Sequence, residues 1–356
     1  MKAKVKASDI CRACKLAINT LDPKDSIRSN IVINAINDTL TIKATNSQFS
    51  IITTIPAEVE EAGVAVVDGK MVYNVLAKSS GECVLSANEN IFTIKSNGRT
   101  KIPNVKREIS MIEYVDGKNV TCDAVAFQSA VNKVSYAIDE NQQRVILTGA
   151  HVVAKDGFMT FTGLDGFRLA QTVISCAGDD IDVVIPIRVL SMICDASTGE
   201  TLSFHSNGIH LTVEGDGFVI NAIMLSGTYV ETVRLIPTKF ATDALIKTSD
   251  MRNVLDSATV ASGSSNLVKL HIASDKIEVT SNSQEADFNG EASAIVHGDT
   301  LSIAFNLKYL ISAFNHIDSE QCEMHFNEPA NPVIISPHNS EEQTDIHLIL
   351  PVRTFT

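Results

Sequence analysis

The stretch Leu164-Asp165-Gly166-Phe167-Arg168-Leu169 lies near the middle of a 356-residue chain, and the segments on either side of it read as copies of one unit. Asp165-Gly166 is a turn dipeptide, in which glycine reaches a positive φ without a Cβ clash. Beyond the turn, Phe167 and Leu169 alternate with Arg168, so the two apolar side chains share one face of a strand. An apolar rim beside an isolated arginine suits a groove for a short peptide with apolar anchors. An ordinary hairpin entry in a sheet is the plainer alternative.

Working outward, one pattern occurs three times, spaced by about 118 residues: helix, alternating strands, a second short helix, then strand–turn–strand. In the first copy, Ser8 is the expected N-cap of a helix whose stripe is Ile10, Ala13, Cys14, Ala17 and Ile18. Strands 31–36 and 39–44 follow, joined across Asn37-Asp38, and 50–55 continues the sheet. A helix carrying Val72, Val75 and Leu76 precedes a hairpin turning at 88–90. The second copy has Asp123 before Phe127, Val131, Val134 and Ile138, and a turn at Lys155-Asp156-Gly157. It continues with a helix opened by Pro186 and a hairpin across Asn207-Gly208. The third copy begins at Ser249, with Met251, Val254, Leu255 and Ala258 on its stripe, and closes on strands at 333–336 and 347–351. The register between copies is clearest at Val67, Ile185 and Phe305, each ending a short strand just before the second helix. Three such units make an α+β, layered repeat architecture. Junctions are expected at 116–118 and in the turn after Pro237.

Composition narrows the class. An apolar fraction of 44% supports real cores, and the length predicts two or three domains. The N-terminus lacks an apolar leader region and no window reaches the length of a membrane span, so a soluble, cytoplasmic protein is expected. Seven scattered cysteines give neither a disulfide framework nor a paired CxxC zinc site; Cys11-Arg12-Ala13-Cys14 is read as buried or idle thiols. No metal or cofactor is expected. A net charge of −13 argues against a basic nucleic-acid coat but leaves room for a local basic surface.

Such a surface is suggested by the helices. Arg12, Lys15, Lys70, Lys78, Lys133, Arg188, Arg252 and Lys308 put a positive charge on every one of the six, with Lys24 just past the first. Acids sit mostly at helix N-termini, where the dipole favours them. Gathered on one side, these cations would meet phosphates without reading bases; a plain solvated helix face would carry the same residues.

The chain also resembles a known family, the beta sliding clamp of bacterial DNA polymerase III. The resemblance covers the whole length. It rests on the threefold unit, on Leu147-Thr148-Gly149, Asp165-Gly166-Phe167-Arg168-Leu169 and Val233-Arg234-Leu235-Ile236-Pro237, and on Phe305-Asn306-Leu307-Lys308-Tyr309 and Leu350-Pro351-Val352-Arg353. It implies three clamp domains, at 1–118, 119–238 and 239–356, with helices on one face and antiparallel sheets on the other. It further implies a head-to-tail homodimer closing as a ring, helices lining the hole and duplex DNA passing through. The nine basic residues named above, Lys24 included, would face that DNA. Between the second and third domains it implies a groove for clamp-binding peptides of the DNA polymerase III alpha subunit, the clamp loader and repair polymerases. By position the groove would use Leu147, Leu164, Gly166, Phe167, Arg168, Leu169, Val230, Arg234, Leu235, Asn306, Tyr309, Leu348, Ile349, Leu350, Pro351, Val352 and Arg353. Leu164, Phe167 and Val230 depart from the family's usual Thr, His and Pro. Thr354 replaces a terminal apolar residue, and Phe355-Thr356 extend past the usual end.

Two rivals stand beside this reading. An enzyme would need converging catalytic groups, and neither a P-loop, an HExxH nor a GxSxG occurs. A peptide-binding repeat scaffold that never meets DNA would share the fold and the groove.

Overall fold

A computed structural model describes residues 1–21, 29–338 and 345–353. Unit one runs β1 (Lys2–Lys6), α1 (Ala7–Thr20), β2 (Asn30–Ile36), β3 (Thr39–Thr45), β4 (Phe49–Pro56), β5 (Glu58–Glu61), β6 (Gly63–Asp68), α2 (Gly69–Leu76), β7 (Glu82–Ala87), β8 (Ile91–Lys95) and β9 (Arg99–Pro103). Unit two repeats the order as β10 (Lys118–Asp123), α3 (Ala124–Ser135), β11 (Gly149–Lys155), β12 (Phe158–Leu164), β13 (Arg168–Gly178), β14 (Ile181–Pro186), α4 (Ile187–Ala196), β15 (Thr201–Ser206), β16 (His210–Gly215) and β17 (Phe218–Ile223). Unit three is β18 (Thr242–Lys247), α5 (Thr248–Ala258), β19 (Leu267–Ile272), β20 (Lys276–Asn282), β21 (Asp287–Gly298), β22 (Leu301–Asn306), α6 (Leu307–Phe314), β23 (Gln321–Phe326), β24 (Val333–Pro337) and β25 (Ile346–Ile349).

The helices form where the stripes place them, and each unit's two helices pack side by side. Asp68 and Asp123 cap α2 and α3, accepting from the Met71 and Ala126 amides at 2.7 Å; such caps are worth about 1 kcal/mol each. Two expected starts shift. Ser8 is not the N-cap, because β1 runs straight into the helix and leaves Ser8 in its first turn, where its hydroxyl donates to Asp9. Pro186 occupies the cap position, one residue before the helix.

Tight turns join the hairpins as expected. Asn37 and Asp38 both take positive φ, as do Asp156 and Gly157, the backbone that two-residue turns of right-twisted hairpins require.

Sheets run across the unit borders. Strand β17 pairs antiparallel with β4, Ile220 opposite Ile51, and β13 pairs with β25, Leu169 opposite Leu348. Units one and two share one continuous apolar core; unit three has its own. A smaller third cluster lies at the junction of units two and three. The seven cysteines are free. Burial pushes the Cys14 thiol far up and, to a lesser degree, that of Cys11, which suits the reading of inert thiols.

Candidate functional site

The junction cluster is built from both units. Leu147, Leu164 and Leu169 of unit two meet Leu348 of unit three, together with Val184, Tyr229 and Ile334; Ile146, Leu225, Ile236, Phe240 and Ile346 pack around them. Strand alternation decides which residues of β25 take part. Ile346 and Leu348 face the cluster, whereas Ile349 is fully buried in the core of unit three. Ile349, expected from sequence in the groove, thus points into the core of unit three.

Around this apolar floor runs an exposed rim. Phe167 is 56% exposed, Val230 42%, Leu235 46%, Leu350 41% and Val352 40%, all on segments that border the junction cluster. The C-terminal segment is fastened alongside: the Leu350 amide donates to the Phe167 carbonyl, and the Val352 amide to that of Ala304. Pro351 is half-buried and Arg353 exposed. Arg234, also exposed, pairs with Glu231 at 2.8 Å. Asn306 has a structural task, its side chain accepting from the Lys308 amide to cap α6.

The turn before β13 is tied by one carboxylate. Asp165 Oδ1 accepts from the amides of Phe167 and Arg168, and Oδ2 accepts from Arg168 Nε at 2.9 Å. Gly166 takes φ +91, and a Cβ there would lie 2.7 Å from the Arg144 guanidinium. Arg144 in turn donates to the Asp165 carbonyl and pairs with Asp139.

From this turn a stack of planar groups crosses the junction. The Phe167 ring lies 6.1 Å from that of Tyr309, and the Arg168 guanidinium sits over Tyr309 at 4.7 Å and over Tyr136 at 5.2 Å. Tyr136 then stacks on His316 at 4.6 Å, and its hydroxyl meets His347 Nδ1 at 2.7 Å. Burial pushes the Tyr136 hydroxyl well above its usual range and, as the largest of several influences, pulls His347 down to about 4. Tyr136, His316, Arg144, Tyr229 and Ile334 were not singled out from sequence. The aromatic just past the end of α3 was the one signal available for Tyr136.

Eight of the nine basic residues are described, and they divide into exposed and committed. Arg12, Lys15, Lys70, Lys78 and Lys308 are exposed, and Lys6, Arg12 and Lys15 line a 640 Å³ cleft between α1 and α2. Arg188 is exposed with its guanidinium 5.4 Å from the Phe49 ring of unit one. Lys133 is committed: it forms a 2.6 Å ion pair with Asp345. Arg252 donates to the carbonyls of Phe314 and Ile317, closing the C-terminal end of α6. Lys24 lies outside the described residues.

Three like units, joined sheet edge to sheet edge and carrying paired helices, are the architecture of a three-domain clamp. Comparison with known proteins agrees. Three family models match in order: the DNA polymerase III beta subunit N-terminal domain at residues 1–107, its central domain at 121–231 and its C-terminal domain at 233–353. The beta sliding clamp of Staphylococcus epidermidis is 26% identical over 361 residues, covering 92% of each chain; that of Staphylococcus aureus is 25% identical over 359 residues. Among solved structures, the DNA polymerase III beta subunit of Thermotoga maritima superposes with a TM-score of 0.93 at 20% identity, covering 99% of this chain and 100% of that one. The sliding clamp of Bacillus subtilis superposes with a TM-score of 0.92 at 21% identity, covering both chains fully. The chain belongs to the DNA polymerase III beta subunit family.

Proposed function

We propose that this chain is half of a ring that encircles duplex DNA without sequence preference and holds a polymerase to it. As a member of its family the chain is a processivity sliding clamp, an accessory subunit with no chemistry of its own. The observation that carries ring closure is a pair of unmatched strand edges. In units one and two, the strand before the second half of the sheet gives its free edge to the next unit: β4 to β17, and β13 to β25. The equivalent strand of unit three is β21; its residues 287–293 pair only with β20 among the described residues. Strand β9 of unit one, the counterpart of β17 and β25, pairs only with β8 among the described residues.

A long unpaired edge is a template for another strand. Arg99 and Lys101 on β9 complement Asp287 and Glu291 on β21. Two copies placed head to tail satisfy both edges twice and close a ring of six units, with domains at 1–118, 119–238 and 239–356. The exposed cations of the paired helices then supply loose phosphate contacts to DNA in the hole.

The junction of units two and three supplies the tether. Its buried leucines and exposed Phe167, Val230, Leu350 and Val352 suit apolar anchors of short peptides. The partners in this reading are the DNA polymerase III alpha subunit, the clamp loader and repair polymerases. Native mass by light scattering, with negative-stain images of the same peak, tests ring closure. A dimer with a central hole is expected; a monomer without one would sink the encircling reading.

A further inference from the structure

We infer that Tyr136 and His316, neither of them in the peptide groove, act as positioning residues that hold the Arg168 guanidinium ready to donate to a neutral carbonyl of a bound peptide. This rests on the groove reading given above.

Arg168 is a long side chain whose freedom would normally be lost only when a ligand binds. Here three contacts already hold it. Nε donates to Asp165, and the guanidinium carbon lies over two rings, that of Tyr136 of unit two at 5.2 Å and that of Tyr309 of unit three at 4.7 Å. The side chain is only 16% exposed. Yet Nη1 and Nη2 donate to no acceptor among the described residues. A guanidinium held at its Nε and against two rings, with its outer N–H groups unspent among the described residues, is a prepared hydrogen-bond donor.

Charge selects the acceptor. The Asp165 carboxylate already balances Arg168, so a second carboxylate would meet repulsion, whereas a backbone or side-chain carbonyl would not.

Tyr136 is itself locked. Its hydroxyl meets His347, and its ring is stacked on His316, whose Nδ1 is 2.7 Å from the Ser312 carbonyl oxygen. Tyr136 lies against Arg168 and is half-buried, its ring shared between Arg168 and His316. Any effect it has on a peptide passes through the arginine.

The test measures the anisotropy of a labelled peptide carrying Leu and Phe anchors, titrated with the intact protein. Arg168→Ala and Tyr136→Leu should each weaken binding about 5- to 10-fold. The double variant should be no weaker than Arg168→Ala alone. Tyr136→Phe keeps the ring, loses the bond to His347, and should bind within about 2-fold of the parent. His316→Ala, at the far end of the stack, supplies a second cycle with Arg168→Ala should Tyr136→Leu not fold. Losses that multiply in the double variants, or a Tyr136→Phe defect equal to that of Tyr136→Leu, would overturn the inference. Unchanged affinity in both Phe167→Ala and Arg168→Ala would instead defeat the groove reading itself.

Discussion

Lys133 of α3 and Asp345 just before β25 form a 2.6 Å ion pair across the junction of units two and three, with side-chain exposures of only 21% and 11%. Thr172 donates to the same carboxylate. Removing one partner of such a pair strands the other charge away from water, which costs more than the pair contributes. Lys133→Ala should therefore lower stability by about 2–4 kcal/mol, read as a fall in the denaturant midpoint. It should leave the salt dependence of DNA retention unchanged. A variant as stable as the parent would refute this account.

The exposed cations should behave in the opposite way. Changing Arg12, Lys15 and Lys308 together to Glu should strip the ring from nicked circular DNA while leaving peptide affinity within about 2-fold, because these exposed side chains hold up no carbonyl or carboxylate among the described residues. DNA retention equal to that of the parent would favour a scaffold that never meets DNA.

Ring closure by β9 and β21 predicts a charge swap. Asp287→Lys with Glu291→Lys should shift the native mass toward monomer by placing like charges opposite Arg99 and Lys101. Adding Arg99→Glu and Lys101→Glu should restore the dimer. Sedimentation of the three proteins reads this directly, and failure of the swap to rescue would place the interface elsewhere.

The groove makes a prediction about the C-terminus. Deleting residues 350–356 removes Leu350 and Val352 from the rim and the amide bonds to Phe167 and Ala304. Peptide affinity should fall at least about 10-fold while the dimer persists. Undiminished affinity would remove the C-terminal segment from the site.

His347 predicts an acid limb in the stability curve. Burial first, then the neighbouring His316 and Lys133 charges, lower its pKa to about 4, with Asp345 opposing. The folded chain holds it neutral while the unfolded chain protonates it below 6.5, so its contribution is complete above 6.5 and is lost as pH falls through 4. The full effect is about 3 kcal/mol. In His347→Gln the difference in thermal midpoint between pH 7 and pH 4 should shrink, and an unchanged difference would count against the assignment.

Much of this molecule was legible from local chemistry. The turns at Asn37-Asp38 and Asp156-Gly157 need positive φ, and the helix stripes bury one face; both signals lie within a few residues. Strands such as β5, with the sequence Glu58-Val59-Glu60-Glu61, escaped notice because an edge strand paired on one side needs no apolar alternation. Lys133 and Arg252 read as free cations for a different reason. Their partners lie 212 and 62 residues away, beyond any window in which charge pattern can be judged.

By itself, then, the sequence determined the repeat, the order of elements and the turns, because each follows from torsional preference and from burying one face of a local segment. It also placed the residues of a groove near one another in kind. Only the tertiary structure decided which of them meet. The pairing of β13 with β25 sends Leu348 to the junction and Ile349 into the core, and it brings Arg168 against tyrosines of two units. Those contacts depend on the register of strands far apart in the chain, where a shift of one residue would turn every side chain to the opposite face.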